Sequence, residues 1–592
     1  MTGDDWASHA ERAADLALAA GHDRTAVVFL LEILTASDLA DDRRAALAGT
    51  LGETAAWGSA ALDDLADRVV GTLRTVLGSG VSSAARGEIR LSLGRLLFQL
   101  GRFDAAADEV EVALTDLDSR PDLAARAMTM MAFPRGQDWP AQRHRRWLDR
   151  SGEPTARVTS METRISLTVD RASALLMMGD VAGWQVAEEI TVVADRADLA
   201  TPERRQLARG LMNVGHLGVA WGRYQESGRL LGRATALMRA TGYERLLNSA
   251  TLTQAHLDWQ TGRWDGLSEQ VAAVADESGT LPEARLEAQV TLGLLALSSG
   301  ERGIARERLR DVLEESTRRG LIDVRTTPAG ALGRLLLADG EPADALAVTE
   351  PIAHLLATKG MWVWATDVLV TQVEALVQLD RTSEAVRWSD WFAAGLGDTP
   401  APAAQAASIL ATAITAAATG QPTRALSLFD DAKHAWAAMP RPYYELLTLE
   451  RLCAVRLAGD EDAETDAALR TLTTAEQRLR AMGASWDADR VARTLRQHGV
   501  DVARIWRGGR RGYGDHLSPR EFEVVQLVAA GWTNRQVAGS LFLSTRTVDR
   551  HLSAAMRKLG VTSRTAVAMA AHHAGLLGGD PDTAQSPRAD IG

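Results

Sequence analysis

Only three of the 592 residues are lysine and only one is cysteine. The single thiol, Cys453, excludes an intramolecular disulfide and any cysteine-rich zinc cluster, which leaves a small core residue as its expected role. None of the lysines, Lys359, Lys433 and Lys558, follows a glycine, so the chain encodes no phosphate-cradling loop of the kind whose lysine reaches the terminal phosphates. The HExxH zinc helix, the GxSxG nucleophile turn and the glycine-rich dinucleotide loop are also missing, and the chain reads as non-enzymatic, with neither cofactor nor metal. The N-terminal MTGDDWASHAER lacks the basic-then-apolar order of a signal peptide. The longest uncharged stretch, Ala401 to Thr423, is mostly alanine interrupted by Gln, Ser and Thr. Alanine buries too little apolar area to hold a membrane span, so a packed helix is expected there. These absences predict a cytoplasmic protein with no membrane partner.

The net charge of -12 is distributed unevenly. Residues 501–577 carry 11 Lys plus Arg against 5 Asp plus Glu, a local charge of +6, whereas residues 1–500 carry -16. An acidic body is repelled by nucleic acid, which confines any contact of that kind to the C-terminal part.

Residues 1–500 show a helical pattern throughout, with turns marked by glycine followed by polar residues. The turns at Gly222, Gly262, Gly300, Gly340, Asp380, Gly420 and Gly459 lie 40, 38, 40, 40, 40 and 39 residues apart. Ala305, Ala345, Ala385 and Ala425 each stand five residues after a turn, where a small side chain lets the two helices of a hairpin approach closely. Upstream the beat is less clean, at Gly21, Gly101 and Gly179, with an irregular patch over Met128 to Asp149. A repeat of about 40 residues predicts roughly a dozen helical hairpins stacked into a curved right-handed superhelix with a concave surface. The tryptophans on the repeats, Trp221, Trp259 and Trp264 in one group and Trp362, Trp364, Trp388 and Trp391 in another, have two readings. They stack a small molecule or a protein side chain on the concave wall, or they pack between hairpins.

Beyond the repeats, residues 501–516 include four glycines and four arginines and are expected to form a flexible linker. Residues 578–592 have the composition of a disordered tail. Between them, residues 517–577 contain three successive helix-start signals: Ser518-Pro519-Arg520-Glu521, Thr533-Asn534-Arg535-Gln536 and Ser544. Gly531 and Gly560 stand where helices should stop. At about 100° per residue, Val548, Leu552, Ala555, Met556 and Leu559 gather on one side of the third helix, and Arg546, Arg550, Ser553 and Arg557 on the other. A narrow cationic face of this length fits a DNA major groove. His551 lies toward the core side and is expected to be structural.

The run Thr533 to Ala538, followed by Leu543-Ser544, Thr547-Val548, His551, Lys558 to Val561 and Ser563-Arg564, resembles the C-terminal DNA-binding domain of bacterial LuxR-type transcription regulators. The chain is most similar to the large ATP-binding LuxR-type regulators, although it lacks their N-terminal nucleotide-hydrolysing module. Its repeats look like tetratricopeptide repeats with a longer period. The resemblance implies base reading by Asp549, Arg550 and Ser553, to which the helical wheel adds Arg546. It also implies backbone contacts from Thr533, Asn534, Arg535, Thr547 and Lys558, with Arg557 added by the wheel. Asp549 either accepts from cytosine or orients Arg550 or Arg546. A homodimer on double-stranded DNA, held through a fourth helix from Ser563 to Ala574, and RNA polymerase as a further partner are implied as well. The expected architecture is all-α, a tetratricopeptide-like α-solenoid over residues 1–500 followed by a four-helix reader over 517–577. The competing class is a protein-interaction scaffold anchored to DNA by the reader.

Overall fold

The computed structural model describes residues 3–573 apart from 20–21, 37–38, 58–63, 137, 278–279, 460–461, 503–516, 518, 542–543, 560 and 562. The Gly21 turn, most of the expected linker, the Ser518 cap, Leu543, the Gly560 stop and the tail lie outside the described residues. The chain divides into two compact units, residues 1–500 and 501–592. Among the described residues every regular element is a helix. None of these helices is long and apolar enough to cross a membrane.

The first unit is built of helical hairpins, and the glycine turns show how each is closed. Gly101, Gly179, Gly222, Gly262, Gly300, Gly340 and Gly420 all take left-handed φ between 73° and 93°. The next amide in each case reaches back five residues to a helix carbonyl, as from Arg223 to Gly218 at 2.9 Å, from Glu341 to Leu336 at 2.9 Å and from Gln421 to Ala416 at 2.9 Å. This bond satisfies a carbonyl that the helix end would otherwise leave unpaired. Asp380 holds the same conformation, with φ 59°, at the one turn in the series where the glycine is replaced, a position that aspartate tolerates better than most side chains. Gly459 does not share the left-handed φ, so the beat fades at the last turn.

Small residues set the closeness of the paired helices. Ala305, Ala345, Ala385 and Ala425 are fully buried. A Cβ added to Gly333 would lie 3.2 Å from Thr349 Cγ2, and one added to Gly94 would lie 3.0 Å from Val110 Cγ2. The two helices of a hairpin differ in character. Pro402–Ala418 buries residues around its whole circumference, including Ala403, Ala407, Leu410, Ala413 and Ile414. Its partner Pro422–Ala438 buries only the stripe Ala425, Phe429, Ala432 and Trp436. The alanine-rich segment is thus an inner helix of the stack, buried on all sides.

The patch from Met128 to Asp149 is the end of helix Pro121–Ala132, a break, and helix Ala141–Arg150. His144 on the second of these helices meets Lys359, 215 residues further on, with Nε2 to Nζ at 3.1 Å. Trp364 Nε1 donates to the Met177 carbonyl at 2.8 Å across 187 residues. A Cβ on Gly222 would lie 2.6 Å from the Ala403 amide nitrogen, and one on Gly262 would lie 2.9 Å from Pro442 Cγ. Successive turns of the superhelix are therefore in direct contact at these points.

The second unit contains helices Pro519–Ala529, Asn534–Ser540, Thr545–Lys558 and Arg564–His573. Its core joins Val524, Val525 and Val528 of the first helix, Val537 and Ala538 of the second, Val548, Leu552 and Ala555 of the third, and Val567 of the fourth. Gly531, at φ 85°, ends the first helix. Thr533 then opens the second as a capping box, with the Gln536 amide donating to its hydroxyl at 3.4 Å and its own amide donating to Gln536 Oε1 at 2.9 Å. Ser544 opens the third by accepting from the Thr547 amide at 3.1 Å.

Candidate nucleic-acid interface

Helix Thr545–Lys558 presents its two faces as its periodicity requires. Val548 and Ala555 are fully buried and Leu552 nearly so. Arg546, Asp549, Arg550, Ser553 and Arg557 are all exposed along the opposite side. The three arginines of that stripe enter no ion pair among the described residues, so their guanidinium groups remain available to phosphates or to guanine edges. Arg535, on the preceding helix, is exposed as well.

Around this face the remaining expected contact residues are tied to one another. Asn534 Nδ2 donates to Asp549 Oδ1, while Asn534 Oδ1 accepts from Arg564 Nη1. Arg564 Nη2 in turn donates to the Trp532 carbonyl. This relay joins the second, third and fourth helices at the edge of the arginine-bearing surface. Asp549 is held by Asn534 rather than by Arg550 or Arg546, and both polar ends of the Asn534 amide are occupied. The hydroxyl of Thr533 serves the capping box, and that of Thr547 lies 2.8 Å from the Ser544 hydroxyl.

Lys558 points away from the stripe. Its Nζ donates to Glu521 Oε2 at 2.7 Å, with the two side chains 16% and 10% exposed. The lysine expected on the DNA backbone is thus an internal tie between the third helix and the first. Sequence reasoning missed both this pairing and the role of Arg564. The wheel gave one signal, because Lys558 falls about 100° from the centre of the arginine stripe and flanks the core side instead.

On the repeat unit the tryptophans do not gather on an open wall. Trp221, Trp259, Trp364 and Trp388 are buried. Trp221 Nε1 donates to the Leu176 carbonyl at 3.1 Å. Trp259 and Trp264 stack with ring centroids 6.0 Å apart, and both meet Tyr443 edge-on. Trp362 stacks on Phe392. Trp391 alone is well exposed, at 52%, with its ring edge-on to Trp388. Most of these rings pack between hairpins and between turns. Among the described residues no group of three or more His, Cys, Asp or Glu is placed to hold a metal ion.

A four-helix core with a capped second helix and a third helix that presents a free cationic face defines the C-terminal unit as a helix-turn-helix DNA reader. It is a LuxR-type domain: the family model for bacterial regulatory proteins of the luxR family matches residues 515–571. Over 54 residues the chain is 48% identical to helix-turn-helix-type transcriptional regulators of Mycobacterium bovis and Mycobacterium tuberculosis, a match that covers 9% of this chain and 6% of each of those. It is 38% identical over 58 residues to the transcriptional regulatory protein LiaR of Bacillus subtilis, covering 10% of this chain and 28% of that one. The match thus spans a small part of each of these relatives. Among solved structures, a Rap protein complexed with competence and sporulation factor is similar over 67% of this chain and 99% of its own, with TM-score 0.42 and 10% identity. The Cut9 and Hcn1 hetero-tetramer is similar over 83% of this chain and 96% of the other, with TM-score 0.39 and 10% identity.

Proposed function

We propose that this chain is a sequence-specific DNA-binding transcription regulator in which the helical-repeat unit receives a signal and governs the LuxR-type reader. The observation that carries this reading is the exposed, unpaired row of Arg546, Arg550 and Arg557 above the buried Val548, Leu552 and Ala555. In the major groove Arg546, Arg550 and Ser553 read bases, and Arg557 and Arg535 neutralise phosphates. Asp549 reads only if it leaves Asn534, so it acts first as the anchor that sets the angle between the two helices. Met569, 58% exposed on the fourth helix, is an apolar contact suited to a reader dimer on two half-sites one helical turn apart. Work of this kind is done in the bacterial cytoplasm, with RNA polymerase as the downstream partner.

Selection of binding sites from random duplex by the full-length chain tests the reading. Recovery of a two-fold motif supports it, and an unenriched pool overturns it. The scaffold reading predicts instead stoichiometric co-purification of a protein with no change in DNA affinity.

A further inference from the structure

Helix Thr545–Lys558 carries a single carboxylate, Asp549, on the side that bears its arginines. At about 100° per residue it stands about 60° to one side of Arg546 and three residues further along, the spacing at which a carboxylate and a guanidinium group pair across a helix surface. An Arg546 paired in that way turns its donors to Asp549 and away from a base. The structure does not make the pair. Asp549 Oδ1 accepts from Asn534 Nδ2 instead, and among the described residues the carboxylate has no other partner.

The groups on either side of Asn534 fix the direction of its amide. A guanidinium group only donates and a carboxylate only accepts, so an amide between Arg564 and Asp549 turns its oxygen to the first and its nitrogen to the second. Arg564 Nη1 donates to Asn534 Oδ1, and Nη2 donates to the Trp532 carbonyl, so the guanidinium group is held at two points. Asn534 and Arg564 are half-buried, whereas Asp549 and Arg546 are exposed. Hydrogen bonds to charged groups are stronger than an exposed ion pair between neighbouring turns of one helix, so the relay outcompetes Arg546 for the carboxylate. The charge of Asp549 is thereby balanced, through a neutral amide, by an arginine of the fourth helix.

We propose that Asn534 is a positioning residue for base reading: with Arg564 it holds Asp549 away from Arg546 and keeps that arginine free for a guanine edge. The assignment rests on the reading of this helix face as the DNA contact, and it explains how a carboxylate is tolerated on a surface that approaches phosphates. It gives Asn534 a part in recognition with no contact of its own to DNA, since both ends of its amide are already used. It also makes the fourth helix a contributor to the reading surface, because the cation that neutralises Asp549 comes from there.

A double-variant cycle on the full-length chain tests the role, with affinity measured on the selected duplex and on a scrambled one. An arginine–guanine contact is worth about 5- to 150-fold in affinity, and a released Asp549 removes part of it. Asn534→Ala should therefore lose about 3- to 30-fold on the selected duplex and much less on the scrambled one. When Asn534→Ala is combined with Asp549→Ala the competitor is gone, and affinity for the selected duplex should return to that of Asp549→Ala alone. Asp549→Ala by itself should bind both duplexes about 2- to 5-fold more tightly, because the face gains one net positive charge. A loss that persists in the double variant makes Asn534 a DNA contact or a purely structural residue and overturns the proposal. An Asp549→Ala chain that loses affinity for the selected duplex makes the carboxylate a base reader, and this overturns the proposal whether or not Asn534→Ala folds. Asn534→Ala that binds like a discriminating wild type removes the positioning role and leaves the DNA-reading face standing. A wild type that does not discriminate between the duplexes removes that face, and the positioning role with it.

Discussion

Replacing Lys558 with methionine separates a structural tie from a DNA contact, because the two roles predict opposite outcomes in two assays. The ammonium group sits 2.7 Å from Glu521 Oε2, with the side chains 16% and 10% exposed. Removing one member of a fully buried ion pair costs about 3–5 kcal/mol; the residual exposure here lowers the expected loss to about 2–4 kcal/mol. At 1.36 kcal/mol per decade, amide hydrogen exchange in residues 519–529 and 545–558 should accelerate by about 30- to 1,000-fold in the full-length variant. A double variant, Lys558→Met with Glu521→Leu, removes both charges together and should recover most of that protection. The dependence of DNA affinity on salt should keep its slope in both variants, measured where the reader remains folded. Wild-type exchange rates combined with a slope flattened by about one unit would make Lys558 a phosphate contact and refute the reasoning.

Other consequences can be tested on the repeats. Gly222→Ala combines a left-handed φ of 81° with a new Cβ 2.6 Å from the Ala403 amide nitrogen. It should destabilise the first unit by about 2–4 kcal/mol, read as a lowered urea midpoint. Asp380→Gly removes a side chain from the one non-glycine turn at positive φ and should change stability by between zero and about +1 kcal/mol, since the gain in the turn is partly offset by a freer unfolded chain. The contact between His144 and Lys359 makes stability depend on pH. Burial, then the nearby Arg325 charge, pushes Lys359 down from 10.5 to about 7. Burial, then the Lys359 charge, pushes His144 down from 6.5 to about 3. In each case the unfolded chain holds a proton that the folded chain has released, so stability rises with pH, from about 3 to 6.5 for the histidine and from about 7 to 10.5 for the lysine. Lys359→Met should abolish the upper rise in a series of denaturation curves, and its persistence would contradict the assignment.

The periodic part of the fold was legible because each repeat writes its own signals locally. A glycine that must turn left-handed and an alanine that must let two helices cross recur at the same offset, and the structure uses both at the positions the spacing predicts, apart from Gly459, which is not left-handed, and Asp380, which takes a glycine's place. The reader was legible for the same reason, since Thr533, Ser544 and Gly531 act within a few residues of where they stand. Contacts across large sequence distances left no such trace. Gly222 meets Ala403 and His144 meets Lys359 because of superhelical pitch, which depends on small rotations summed over several hairpins. The tryptophans were ambiguous on this account: a ring on an inner helix faces solvent or a neighbour according to whether the next turn closes over it. Lys558 was assigned to the DNA backbone by resemblance, which gave no sign of its pairing with Glu521, whereas its angle on the helix already set it apart from Arg546, Arg550 and Arg557. The relay from Asp549 through Asn534 to Arg564 needed coordinates, since three helices must dock before those side chains meet.

The central claim is that the exposed face of helix Thr545–Lys558 reads DNA sequence. Its most direct test is the affinity of the full-length chain, wild type and Arg550→Ala, for its selected duplex and for a scrambled duplex at one fixed salt concentration. The account predicts a loss of about 1–3 kcal/mol on the selected site with a much smaller loss on the scrambled one. Equal losses on both duplexes, or none on either, would contradict it.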